Sequence, residues 1–552
     1  ISAFCMCSLS VLLNSCDDFL KEEPLDMKSS DQFWKTKADA ESGVNALYFG
    51  GVPYLHNTDV GGGWTPKATM WGGIVSGLYV DKRKDRTFTT ASEGCNFNIE
   101  SFDDIAMKYW HEFYKGISRA NFVIANIPTM TGVLDEATIN NYVAQGKFFR
   151  AYGYFWLVKE FGGVPYISEP YTSTEGMYKE RLSAEEVYKK IEADLLEIVN
   201  GDPLPNKTFY ENGCYVTRAM AQTLLAQVYL QWAGAPLNGG ADYYGKAAQM
   251  ALKVINDSPH ELIHPNGTTD DLNSAYNVIK TTKESAEIIY AKEYNYTNYS
   301  VGNSYACRSI GTDAFQWGVF HPGGDVLYNA YLPCDMLLNS YASNDIRGHE
   351  KQFFFKQYTD AEGKTYTLNN AGNWAWFDEN ALISGHDGDY NMPVFRFAEV
   401  LLIAAEGLAR TNHEDNAVGG AKYYLNQVRK RAGLADETAT GNDLIQSILT
   451  ERLHELPLEF KIWDDIRRTR LYPEASTESG KLKWTALASA QIQNKPDGST
   501  RAGAIPEYAL LWPIPLDEIQ ANPALEGHQN RIVRSRRKPP IPTVAFSKMP
   551  EM

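Results

Sequence analysis

Apolar residues recur at three- and four-residue steps along much of the chain, and that spacing predicts helices rather than strands. Ile105, Tyr109, Trp110, Phe113, Ile117, Asn121 and Ile124 fall on one helical face. Val143, Phe148, Tyr152, Phe155 and Val158 repeat the pattern, which stops at Gly162-Gly163 before Pro165. Ser183, with Glu186 three residues on, reads as a capping box opening a helix that runs through Leu196. Further helical stretches are expected near 217–233, 241–257, 395–411, 415–432 and 443–470. Short, paired, amphipathic helices of this kind predict a mainly α fold built from tetratricopeptide-type helix pairs, although their spacing is irregular.

Between the helical blocks run three long irregular excursions, about 51–104, 258–394 and 471–530, rich in Gly, Asn, Thr and Tyr. Loops of this length inside a domain usually carry function. The helices therefore read as a scaffold, and the excursions as a loop-rich working face with a few short strands.

Composition sharpens this picture. The 552 residues are 44% apolar and 22% charged, as expected of a globular body. A net charge of -16 repels phosphate backbones and argues against nucleic-acid binding. Tyr, Phe and Trp make up 12% of the chain, enough for a core and for flat stacking surfaces besides.

The first residues carry an address. Ile1 to Leu13 resembles the apolar part of a signal peptide whose start is missing, so 1–15 is expected to be leader. Leu13-Asn14-Ser15-Cys16 resembles a bacterial lipobox, making Cys16 the expected lipid anchor, and Asp17-Asp18 resembles an acidic surface-export signal. Beyond the leader no apolar run is long enough to span a bilayer, so attachment is expected through the anchor only. Cys95, Cys214, Cys307 and Cys334 have no CxxC spacing, which disfavours a zinc site. A Cys307–Cys334 disulfide is left open.

Catalytic signatures are missing. No GxSxG occurs, and none of His111-Glu112, His349-Glu350 and His454-Glu455 continues to the second His of HExxH. Asp387-Gly388-Asp389-Tyr390-Asn391 lacks the spacing of a calcium loop and reads as a turn. Glu451, Glu455 and Glu459 lie four apart and are expected to share a helical face, paired with Arg452, Arg467 and Arg468. Arg396 and Glu399 read as a buried structural pair. No metal and no cofactor is expected, and no enzyme.

A binder of neutral sugars needs less: rigid rings against pyranose C–H faces, and amide, carboxylate or guanidinium groups for the hydroxyls. The first excursion offers Trp64, Trp71, Tyr79, Asp81 and Arg83. The second offers Tyr294, Tyr296, Tyr299, Asn303, Arg308 and Trp317. Trp374 and Trp376 alternate like strand residues, so one of them is expected to face outward. The candidate ligand-binding set is Trp71, Tyr79, Asp81, Arg83, Tyr296, Asn303, Arg308, Trp317 and Trp374.

Several blocks, in order, resemble the SusD/RagB family of outer-membrane nutrient-binding lipoproteins. They begin at Ser15-Cys16-Asp17-Asp18-Phe19-Leu20 and pass through Arg150-Ala151-Tyr152 and Phe161-Gly162-Gly163-Val164-Pro165. They continue at Pro393-Val394-Phe395-Arg396-Phe397-Ala398-Glu399 and Leu425-Asn426-Gln427-Val428-Arg429, and close at Trp512-Pro513-Ile514-Pro515. The sequence departs from the family pattern around Glu459-Phe460, and a basic tail, 531–552, replaces the usual ending. The resemblance implies one SusD-like domain over 16–530. It implies a surface-exposed lipoprotein of the outer membrane that captures oligosaccharides and delivers them to a SusC-like TonB-dependent transporter. Peptides are the alternative cargo, as for RagB-like members.

Overall fold

Helix boundaries follow the capping chemistry in the sequence. The computed structural model describes residues 33–49, 67–80, 104–171, 173–321, 331–492 and 504–530. The expected leader 1–15, Cys16 and the basic tail lie outside the described residues. Thr36 and Asp39 form a reciprocal capping box at helix Lys37–Asn45, and Ser183 and Glu186 do the same for helix Ala184–Gly201. Asp135 and Thr217 cap helices Glu136–Phe161 and Arg218–Ala233 by accepting from backbone N–H groups.

The long helices pack in chain order. Asp104–Asn126 lies against Glu136–Phe161, which packs on Ala184–Gly201, and that in turn on Arg218–Ala233. Gly240–Asp257 follows and contacts Phe397–Ala409, although the whole middle excursion separates them in sequence. Phe397–Ala409 then meets Ala421–Arg431 and Gly441–Glu455. Every residue of Phe397–Ala409 is buried, its apolar side chains in the core and its two glutamates in ion pairs. Gly407 permits this fit, because a Cβ there would stand 2.5 Å from the backbone oxygen of Tyr244 on the facing helix. The fold is the mainly α helix-pair scaffold that the periodicity predicted.

Two expected helices are shorter than read, and one is split. The 395–411 stretch begins as strand Met392–Arg396, and the helix starts only at Phe397. The 415–432 stretch becomes helical at Ala421, after Gly419 at φ +94 and Gly420. The 443–470 stretch breaks into Gly441–Glu455 and Ile462–Thr469. Pro457 is the reason: it disfavours helical geometry at Leu456, which sits at φ −120, ψ 36.

The strands form two-stranded antiparallel ribbons. Ile288–Lys292 pairs with Met392–Arg396, so the middle excursion is tied at its neck. Phe354–Thr359 and Thr365–Asn373 make a hairpin within it. Tyr79–Val80 pairs with Leu332–Pro333, linking the first excursion to the second. Leu471–Ala475 and Leu482–Ala486 form a hairpin in the third.

Ion pairing within the core differs from the expected helical face. Glu459 lies beyond the helix, and Arg452, Arg467 and Arg468 do not serve the three glutamates. Arg452 and Arg468 pair with Asp465, Arg468 also holds Glu406, and Arg467 holds Glu160 and Asp464. Glu455, wholly buried, is instead met by Arg347, Arg396 and Arg431. Glu451 takes Arg347 and Arg429. Arg396 and Glu399 are both buried but belong to different partners: Arg396 pairs with Glu287, Glu455 and Glu459, and Glu399 with Lys461. Burial alone would raise the Glu455 pKa. Arg431, Arg396 and Arg347 outweigh it and hold the carboxyl at about 2.

Removing one partner of such a cluster leaves buried charge uncompensated. Glu455→Gln is expected to destabilise the fold by about 3–5 kcal/mol in chemical denaturation at neutral pH. Because the folded pKa of Glu455 is depressed, its contribution is present above the ordinary glutamate range and is lost as pH falls toward about 2. The wild-type minus variant difference should therefore shrink across that window. A difference independent of pH would contradict the assignment.

Candidate functional site

The middle excursion builds a small aromatic cluster of its own. Ile310, Phe320, Phe355, Tyr358, Leu368 and Phe377 bury against one another there, with Trp317, Tyr366 and Trp374 at the margin. The hairpin sets its geometry. Tyr358 and Tyr366 are direct cross-strand partners, so their rings project from the same face. Trp317 stacks on both, at 4.8 Å and 20° to Tyr366 and at 6.2 Å and 7° to Tyr358. Trp317 and Tyr366 are half-buried, so rings reach the surface from an anchored stack. The Tyr358 hydroxyl donates to Glu379, and the Tyr366 hydroxyl to Asp360, which fixes both rings in the plane of the stack.

A second aromatic pair stands on the neighbouring loop. Tyr296 stacks on His386 at 4.4 Å and 16°, and Tyr299 beside it is 76% exposed. Asp389 pins this turn: it accepts from the Tyr296 N–H at 2.5 Å and from the Thr297 hydroxyl at 2.6 Å. Burial would raise the Asp389 pKa, but the Thr297 hydroxyl and the two backbone N–H groups hold it below the ordinary value. The segment Asp387–Asn391 is thus a strapping loop. Asn303 and Gly388 exchange backbone hydrogen bonds at 2.7 and 3.0 Å, and His321 N–H donates to Leu382. The three-ring stack and the Tyr296–His386 pair therefore sit on interlocked stretches of chain.

Lys280 adds a cation. Its ammonium lies 4.0 Å over the Trp374 ring and 5.0 Å over that of Tyr390. Burial pushes the ammonium pKa down to about 7, against the opposing pull of Asp378 and Glu379.

Placement of the candidate residues divides sharply. Trp71 is 4% exposed and sits edge-on to Trp512 in the main core. Tyr79 is fully buried, stacked on Tyr331 at 4.0 Å, with its hydroxyl on the Pro457 carbonyl. Arg308 is fully buried and donates to Ser304. These three are core groups, out of reach of a surface ligand. Asn303 spends its amide on the Tyr390 carbonyl and the Tyr305 N–H, which makes it a clasp. Trp374 does not alternate with Trp376 in a strand; both lie in a single 3-10 turn, Trp374–Trp376. Trp376 is buried, while Trp374 stacks on Phe377 and donates its indole N–H to Asn277 at 2.7 Å. Tyr296, Trp317 and Trp374 are half-buried and keep surface access, so Trp374 is the outward one of its pair. Asp81, Arg83, Trp64 and Cys16 lie outside the described residues. Cys334 is a buried free thiol whose sulfur accepts from the Leu337 N–H, and the Cys307 side chain lies outside the described residues.

Tyr358, Tyr366 and His386 were missed by sequence reasoning. A signal existed for the first two, since strand-like alternation flanks the turn residues Asp360 to Gly363. Among the described residues, no group of acidic, Cys or His side chains is placed to hold a metal ion, and no helix is long and apolar enough to cross a membrane.

The described residues form a helix-pair scaffold with an aromatic loop face, and comparison with known proteins places that architecture in a family. The SusD family model matches residues 315–532, and a second model, described as starch-binding associating with outer membrane, matches residues 75–238. SusD-like protein P2 of Formosa agariphila is 27% identical over 490 residues, covering 86% of this chain and 91% of that protein. A SusD superfamily protein from Parabacteroides distasonis superposes with a TM-score of 0.75 at 25% identity, covering 88% of this chain and 98% of the other. Surface glycan-binding protein A from Bacteroides thetaiotaomicron, solved in complex with laminarihexaose, has the same fold, with a TM-score of 0.66 at 21% identity over 90% of this chain and all of that one. The chain belongs to the SusD/RagB family.

The two tryptophans should separate in stability. Trp71→Ala is expected to cost about 3–5 kcal/mol, the range for a truncated core aromatic. Trp317→Ala, half-buried, should cost roughly 1–2 kcal/mol. Equal losses in urea unfolding would place Trp317 in the core as well.

Proposed function

We propose that this protein is a surface glycan-binding lipoprotein that captures oligosaccharides and passes them to a SusC-like TonB-dependent outer-membrane transporter. The observation that carries the reading is the Trp317–Tyr366–Tyr358 stack, held at near-parallel angles by the hairpin and reaching the surface. Such rings present flat apolar faces with few rotatable bonds, so little entropy is lost when a pyranose packs on them. Tyr296 on His386 offers a second platform on the adjoining loop. Family membership supports the same direction: relatives include proteins named as glycan-binding, one of them solved with laminarihexaose. The role is that of a binder rather than a catalyst. Attachment through acylated Cys16 would keep the protein at the outer membrane, in line with the description of the second family model.

Calorimetric titration of the soluble chain from Asp17 onward against neutral oligosaccharides, with a peptide pool as contrast, tests the cargo. Heat with one glycan class should fall at least several-fold in Trp317→Ala and in Tyr296→Ala. Heat with peptides alone would overturn the glycan assignment. Attachment and delivery are tested separately in cells. Cys16→Ala should shift the protein from the membrane fraction to the soluble fraction, and the wild type should co-isolate with a TonB-dependent transporter. Retention of Cys16→Ala in the membrane would sink the anchor.

A further inference from the structure

A second cleft lies away from the aromatic stack, where the helical scaffold meets the neck ribbon. Its volume is about 360 Å3, at the lower end of the roughly 300–1,000 Å3 typical of small-molecule sites. The floor is apolar and buried: Phe209, Tyr290 and Ala291 are each under 5% exposed. Phe209 and Tyr290 meet edge to face at 5.6 Å. Tyr48 and Tyr215 form a wall, also edge to face, at 5.2 Å. Both wall rings are held by their hydroxyls. Tyr48 donates to Gln145 and accepts from the Val216 N–H, and Tyr215 donates to Asn45 at 2.8 Å. The cleft is therefore rigid before any ligand arrives.

Its polar groups are only partly used. Glu293 accepts from Tyr210 at 3.0 Å and from Asn391 at 2.8 Å, both at the same carboxylate oxygen. The other oxygen has no donor among the described residues. Lys292 lines the cleft beside it, and its ammonium, 6.0 Å from the Tyr294 ring, forms no ion pair or hydrogen bond among the described residues. Burial lowers the Lys292 pKa and raises that of Glu293, as expected of charges drawn partly out of water. One cation and one anion leave the cleft close to neutral. A donor and an acceptor with unused capacity thus line a cleft that has an aromatic floor.

We infer that this cleft is a second saccharide site that takes a single neutral pyranose, with Lys292 donating and Glu293 accepting at ring hydroxyls over the Phe209–Tyr290 floor. An acidic sugar would meet the Glu293 carboxylate, which disfavours it. The inference extends the glycan reading given above but rests on different residues, so the two fail separately. The neck strand links them: Tyr290 and Lys292 lie in Ile288–Lys292, and the same chain reaches Tyr296 four residues later.

Cys214 supplies the readout. It lines the cleft, is half-exposed, and burial raises its thiol pKa to about 11, so it alkylates slowly at mildly alkaline pH. Iodoacetamide labelling of Cys214 in the folded chain, followed by peptide mass spectrometry, would be compared without sugar, with methyl glucoside, methyl galactoside or methyl mannoside, and with galacturonic acid as the acidic contrast. A bound ligand slows labelling by the factor 1 + [L]/Kd, about ten-fold near ten times Kd. At least one glycoside should protect Cys214. Lys292→Gln should lose the protection while labelling at the wild-type rate without sugar, and Trp317→Ala should keep it. Protection by none of the three overturns the site, as does undiminished protection in Lys292→Gln. Protection by galacturonic acid alone overturns the neutral class. Loss of protection in Trp317→Ala would assign the signal to the aromatic stack and remove the second site while leaving glycan binding intact.

Discussion

Glu455 is the point on which the architecture depends. Three guanidinium groups from three separate stretches of chain converge on one carboxylate with no solvent exposure. Arg347 comes from inside the middle excursion, Arg396 from the neck strand and Arg431 from the end of helix Ala421–Arg431. Each would be strongly unfavourable if buried alone, so no subset of these segments can settle without the others. Glu287 completes the set by taking Arg396 and Arg431 together. The neighbours divide the charge unevenly: Glu455 is held well below the usual range, while burial raises Glu451 and Glu459 despite their arginine partners.

That convergence explains how a loop-rich face keeps its shape. Two-stranded ribbons are marginal on their own in water. Here the Ile288–Lys292 and Met392–Arg396 ribbon ends in Arg396 and is preceded by Glu287, so the neck of the excursion is locked into the ion cluster at its base. The Phe354–Thr359 and Thr365–Asn373 hairpin is supported further out by its aromatic cluster. Rigid rings at the surface thus trace back, through a short ribbon, to buried charge in the helical scaffold.

Legibility in the sequence tracked the range of the interaction. The capping box of Ser183 and Glu186 is local, and the helix it opens starts where the pattern places it. Glu451, Glu455 and Glu459 have helical spacing, but the repeat runs across Pro457, which ends the helix. Their true partners could not be read, since Arg347 and Glu455 are 108 residues apart. Trp71 and Trp317 illustrate the same limit at the candidate site. Both sit among loop-type residues, yet one packs on Trp512 from the third excursion and the other on a hairpin within its own. Nothing near either tryptophan in the chain encodes that difference.

Preorganisation is what the two surfaces share, and it sets what each can recognise. In the aromatic stack, hydroxyl anchors on Tyr358 and Tyr366 hold the rings before binding, so contact area is gained with little ordering. That arrangement suits an extended chain of sugar units, because rings spread along interlocked loops give repeated contacts. The scaffold cleft is walled on one side by Tyr48 and Tyr215 and floored by Phe209 and Tyr290, with room for one unit and a polar pair in its lining. Stacking alone discriminates poorly among sugars, whose faces are all C–H. A site with a spare donor and acceptor penalises any hydroxyl pattern that leaves them unpaired. On the proposed reading the open stack gives reach along a chain and the cleft selects a single residue, and the chain leaving strand Ile288–Lys292 at the cleft reaches Tyr296 four residues on.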